Sequence, residues 1–82
     1  MNSEMTNEQG TTLVHHLKNE FVELNKLLKF EGLVNSGAEA KLTIDEGVVK
    51  VNGQVELRRR KKLFAGDTVE FLESRIQIAK QK

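Results

Sequence analysis

The sequence predicts an α+β domain: two short helices and a β-hairpin packed on a small, mostly antiparallel sheet. Three observations predict it. Residues 36–47 carry a helix start and a helix stop, residues 52–53 are the hairpin dipeptide Asn-Gly, and two stretches near the C-terminus alternate with period two. Eighty-two residues bury only roughly 60 to 65 per cent of the surface that the unfolded chain exposes, so one modest core is expected.

Residues 1 to 12 carry Asn, Ser, Glu, Gln, Thr and Gly with little apolar content, too little to offset the entropy of ordering. They are expected to form a mobile acidic tail, with residues 13–82 a single domain. Leu13, Leu17, Phe21 and Leu24 then recur near helical spacing. That spacing suits a short helix over residues 12–20, while Phe21-Val22 suits an edge strand equally well, and the residues alone leave both open.

Leu24, Leu27 and Leu28 mark the apolar side of a first short helix, stopped by Gly32. Ser36-Gly37-Ala38-Glu39 is a capping box: the Ser36 hydroxyl accepts from the residue 39 N–H, and the Glu39 carboxylate reaches back to the Ser36 N–H. Gly47 can take the left-handed conformation that closes this second helix. The helix is not cleanly amphipathic, since Ala38, Ala40, Leu42 and Ile44 spread around most of its circumference. Val48, Val49 and Val51 then lead into Asn52-Gly53. Val49, Val51, Val55 and Leu57 share a face only if the connection holds an odd number of residues; a two-residue turn sets Val49 opposite Glu56. Thr68-Val69-Glu70-Phe71 and Arg75-Ile76-Gln77-Ile78 read as two further strands joined by a turn at Glu73-Ser74.

With no cysteine, disulfides, thiolate zinc sites and cysteine nucleophiles are excluded. No apolar stretch suffices for a signal peptide or a membrane span, so a cytoplasmic protein without membrane contact is expected. His15 and His16 are adjacent, about 100° apart on a helix, and cannot ligate one metal as an i, i+4 pair would. Asp45, Glu46 and Asp67 sit where a helix end or a turn explains them, and neither a nucleophile–base arrangement nor a phosphate-cradling glycine loop appears. The expectation is a non-enzyme with no metal and no cofactor.

The net charge of +1 hides an asymmetry: residues 1–23 sum to −3 and residues 24–82 to +4. At its centre lies Arg58-Arg59-Arg60-Lys61-Lys62. Side chains alternate along a strand, so five successive cations require a bend or loop. Such a run suits phosphates, which Lys and Arg neutralise with counterion release and which Arg can grip bidentately. There is no Trp or Tyr, and the apolar pattern wants Phe30, Phe64 and Phe71 for the core, which disfavours a sheet that stacks unpaired bases.

The ordered set Leu27-Leu28-Lys29, Ser36-Gly37, Ala40-Lys41, Ile44, Gly47, Val49, Val51-Asn52-Gly53, Arg58-Arg59, Lys62-Leu63, Gly66-Asp67 and Val69 resembles the αL-motif RNA-binding domain named after small-subunit ribosomal protein S-four. Within that family it is similar to the small stand-alone bacterial members of the YbcJ type, through the Ser-Gly-x-x-Ala-Lys opening and the basic run before Lys62-Leu63. The resemblance spans roughly residues 21 to 78. It implies a non-catalytic module whose two helices and hairpin form one surface against structured RNA, ribosomal or tRNA-like, on a ribosome or an assembly intermediate, acting as a monomer. The expected RNA-binding residues are Lys26, Lys29, Ser36, Gly37, Lys41, Lys50, Asn52, Arg58, Arg59, Arg60, Lys61 and Lys62. Capping alone accounts for Ser36 and turn chemistry for Asn52, although the N–H groups of the helix start beside Gly37 could also receive a phosphate. The competing expectation is an adaptor that keeps the fold and contacts a partner protein. It gains if Glu31, Glu39 and Glu56 interrupt the basic surface.

Overall fold

The computed structural model describes residues 11–81. Among them the elements run β1 (Thr11–His16), β2 (Val22–Glu23), α1 (Leu24–Phe30), α2 (Gly37–Asp45), β3 (Val49–Val51), β4 (Gln54–Val55), β5 (Lys62–Leu63), β6 (Thr68–Phe71) and β7 (Ser74–Ala79). Five strands form one sheet in the order β1-β7-β6-β3-β4, and β2 pairs with β5 in a separate ribbon. The pairings are antiparallel except β1 with β7. This is the expected α+β architecture.

The N-terminal segment settles as a strand. Leu13 and His15 are half-buried and Leu17 is buried, alternating with exposed Thr12, Val14 and His16, so the period is two. Pairing along all of β7, Thr11 with Ser74 through His16 with Ala79, satisfies the backbone of this segment. Thr11 and Thr12 belong to β1, so the tail expected over residues 1–12 loses its last two residues to the sheet; residues 1–10 lie outside the described residues.

The core is the layer between the helices and one face of the sheet. Leu24, Leu27 and Leu28 of α1 meet Ala40 and Ile44 of α2, and both helices cover Val49, Val51, Val69, Ile76 and Ile78, with Leu17, Val22, Val34 and Leu63 filling the margins. Burying each large aliphatic side chain contributes about 1.5 to 3 kcal/mol. In α2 the buried stripe is Ala40, Thr43 and Ile44, the i, i+3, i+4 set, while Leu42 is exposed. The Ser36 hydroxyl accepts from the Glu39 N–H at 3.1 Å as the capping box requires, but the Glu39 carboxylate returns to the N–H of Asn35, at 2.8 Å, one residue before the expected partner.

The hairpin takes the two-residue turn. Asn52 and Gly53 both have positive φ, 52° and 87°, which matches the right-handed twist of the flanking strands. Val51 therefore faces Gln54, Lys50 faces Val55, and the Glu56 N–H donates to the Val49 carbonyl. Val55 and Leu57 end up exposed. The second hairpin turns at Leu72-Glu73, one residue earlier than expected, with Leu72 at φ 56°. Among the described residues no helix is long and apolar enough to cross a membrane.

Candidate nucleic-acid interface

The basic run leaves the first hairpin and is carried to the start of α1 by backbone bonds. Leu24 N–H donates to the Lys61 carbonyl at 2.9 Å and Asn25 N–H to the Arg59 carbonyl at 3.0 Å, while Val22 and Glu23 pair with Leu63 and Lys62. These links occupy N–H groups that a helix start leaves unpaired. They also set the first turn of α1, with Lys26, against the loop.

Glu23 is the hub of this junction. Its carboxylate lies 3.7 Å from the Lys26 ammonium and 3.2 Å from the Arg60 guanidinium, and it is the less exposed partner of both pairs. Sequence reasoning counted Glu23 with the acidic leader and missed it, although its place one residue before α1 was a visible signal. Lys26, Arg59, Arg60, Lys61 and Lys62 outnumber the two carboxylates met on this surface, Glu23 and Glu56, the second of which is paired with Arg58 and feels the Lys61 charge. Arg58, Arg60, Lys61 and Lys62 line one shallow cleft on it.

Arg58 is placed differently, in a fork with Glu56. Its Nε and Nη2 donate to both oxygens of Glu56, at 2.8 and 3.1 Å, and its own N–H donates to the same carboxylate at 3.0 Å. The Arg58 guanidinium, opposed by partial burial and helped by the Arg58 backbone N–H, lowers the Glu56 carboxyl to about 2. Glu56 thus folds the start of the loop, and Arg58 is engaged. At the other end, Asp67 accepts from the Phe64 N–H at 2.8 Å and from the Asn52 amide at 3.1 Å. Asn52 accepts in turn from the Thr68 N–H at 2.9 Å. Asn52, an expected RNA contact, is occupied by fastening the loop to the hairpin.

The other expected residues divide. Lys29 and Lys41 are exposed on the two packed helices, and neither makes an ion pair among the described residues. Ser36 is the cap of α2, and open space surrounds Gly37 in its first turn. Lys50 stands apart. It lies between buried Val49 and Val51, so its side chain takes the opposite sheet face, beside Glu70 and Arg75, and is not brought to the loop. The acids that would interrupt the surface are held locally: Glu31 by His15 at 2.8 Å, Glu39 by Asn35, and Glu56 by Arg58.

The aromatic rings depart from the core expectation. Phe30 is 66% exposed and Phe64 48%, with only Phe71 packed against the core. Phe21 lies 5.9 Å from Phe64, and the Lys62 ammonium sits 4.8 Å above the Phe21 ring. His15 and His16 point to opposite faces of β1, His15 towards Glu31 and His16 towards the Lys80 carbonyl.

Comparison with known proteins bears on this surface. The model of the S4 domain family matches residues 15–79. YbcJ of Escherichia coli strain K12 is 52% identical over 61 residues, covering 74% of this chain and 87% of its own length. A Bacillus subtilis strain 168 protein named "Probable ribosome maturation protein RlbA" is 38% identical over 52 residues, 63% of this chain and 73% of its own. The solution structure of E. coli YbcJ, described as revealing an αL motif involved in RNA-binding, superimposes with a TM-score of 0.65 at 45% identity over 96% of each chain.

Proposed function

Because the chain belongs to the S4 domain family, we propose that it is a non-catalytic RNA-binding protein that docks the surface of α1 and the 58–62 loop on the backbone of structured RNA, ribosomal RNA above all. One observation carries this reading: backbone bonds from Leu24 and Asn25, together with the Glu23 hub, draw cations from a helix and a distant loop into one surface. Phosphates spaced along a folded RNA suit such a patch, and contacts of this kind position the protein without reading sequence. The αL motif described for YbcJ and the ribosome-maturation name of the B. subtilis relative support an RNA partner of the ribosomal kind; in this proposal a monomer meets it in the cytoplasm.

Arg59, Arg60, Lys61, Lys62 and Lys26 are the residues assigned to phosphates, with Lys29, Lys41 and the α2 start at Ser36-Gly37 extending the contact. Arg58 and Asn52 shape the loop. Crosslinking in cells followed by identification of the attached RNA tests the reading. Enrichment of ribosomal RNA supports it; recovery of a protein partner with no RNA above background hands the function to the adaptor.

A further inference from the structure

Beside the basic loop lies a second cleft, of about 340 Å³, lined by His15, Lys18, Asn19, Phe21, Val22, Phe30 and Glu31. Its construction differs from that of the cationic cleft. The half-buried His15 ring is held by the Glu31 carboxylate and lies parallel to the Phe30 ring within 3° at 6.2 Å between centroids. Together they make an aromatic shelf whose outer member, Phe30, is two-thirds exposed. The open face of that ring is free to stack against a planar partner. Polar groups stand around it: the Asn19 amide with donors and an acceptor, the Lys18 ammonium and the Glu31 carboxylate.

The cleft is continuous with the proposed phosphate surface on two sides. Phe21, in its wall, carries the Lys62 ammonium over its ring and touches Phe64 beyond β5. Phe30 lies four residues after Lys26 in α1, on the same side of the helix, and directly after Lys29. An aromatic platform with hydrogen-bonding edges, flanked by cations, is the arrangement that holds a base splayed out of folded RNA while its phosphates are neutralised alongside.

Resting on the RNA-binding reading, we infer that this cleft takes one unpaired nucleobase of the bound RNA, stacked on Phe30 and bonded at its edge by Asn19 and Glu31. Binding would then combine backbone contacts at the loop with one stacked base at a bulge, loop or junction. That gives the protein a preference for irregular over fully paired RNA, which phosphate contacts alone do not supply.

The test uses the full-length protein and purified ribosomal RNA. After short-wave ultraviolet irradiation, nucleotide adducts are mapped by mass spectrometry, and affinities are measured for the wild type, Phe30→Ala and the double variant Arg59→Ala/Lys61→Ala. The expected result is an adduct on Phe30 or Phe21, lost in Phe30→Ala together with an affinity loss on the order of tenfold at unchanged salt dependence. Phe30 is exposed, so the variant should fold; circular dichroism checks this, and Phe30→Leu, which keeps the apolar cover but not the ring face, should lose affinity similarly. RNA binding that weakens in the double variant but is indifferent to Phe30, with adducts only elsewhere, overturns the base site and leaves the phosphate reading standing. No binding by the wild type removes both. A change in self-association in Phe30→Ala, with RNA affinity unchanged, assigns the cleft to protein contact and overturns the inference.

Discussion

The Asn52 amide donates to the Asp67 carboxylate at 3.1 Å across fifteen residues of chain, and this bond closes the segment that carries the basic loop. The Asn52 N–H also donates to the Thr68 carbonyl at 2.7 Å, and the Asp67 carboxylate holds the Phe64 N–H. A turn residue and a loop residue thus form one clasp. Asn52→Ala removes both side-chain bonds and places alanine at a φ of 52°, which asparagine tolerates better. The expected loss is about 1 to 2 kcal/mol, measured by urea denaturation. RNA affinity should fall in step with the loosened loop; unchanged stability would show the clasp to be inconsequential.

Gly47 and Gly53, at φ +79° and +87°, close α2 and the first hairpin. A Cβ built at Gly47 meets only Val55 Cγ1, at 3.9 Å, and one at Gly53 meets nothing within 4 Å, so crowding is not the issue. Conformation is. Gly47→Val and Gly53→Val should each destabilise by about 1 kcal/mol or more through backbone strain, a sizeable fraction for a domain of this size. Equal melting temperatures for wild type and both variants would refute that assignment.

Glu56 makes the loop sensitive to acid. Its folded carboxyl titrates at about 2 rather than the ordinary 4.5, chiefly because of Arg58, so its contribution to stability is complete above about 4.5 and is lost as pH falls towards 2. In Arg58→Ala the Glu56 midpoint, followed by carboxyl NMR, should rise towards its ordinary value, and the decline of stability between those pH values should become shallower. A midpoint that stays near 2 would mean that another group holds the carboxylate.

How much of this was legible depends on sequence distance. The α2 cap, the stops at Gly32 and Gly47 and the Asn52-Gly53 turn follow from contacts within a few residues, and the sequence displayed them all. β1 was obscured because Leu13, Leu17, Phe21 and Leu24 imitate a helical stripe; what makes it a strand is β7, about sixty residues later. The exposure of Phe30 was available and overlooked. At about 100° per residue it lies roughly 110° from the centre of the Leu24, Leu27, Leu28 stripe, nearer to Lys26 than to the core. Lys50 was likewise excluded from the loop surface by its alternation with Val49 and Val51. For the Glu23 hub only half was readable: its place one residue before α1 was visible, but its reach to Arg60 needs a pairing between β2 and β5 that two residues of pattern cannot announce.

The division of labour within the basic run gives the sharpest test. Arg59, Lys61 and Lys62 make no ion pair among the described residues, whereas Arg58 is engaged in a fork with Glu56. If four to five phosphates are contacted, log K against log salt for folded ribosomal RNA should have a slope on the order of −3 to −4. Arg59→Ala/Lys61→Ala should bring that slope about two units nearer zero and weaken binding to different RNA sequences alike, with folding intact because exposed cations contribute little to stability. Arg58→Ala should behave differently, lowering affinity with a smaller change in slope, since it releases Glu56 and loosens the loop rather than removing a phosphate contact. Filter-binding titrations across a salt series separate the two. Equal slopes for wild type and the double variant would remove the loop from the interface, and a slope change in Arg58→Ala as large as in the double variant would return Arg58 to the phosphates.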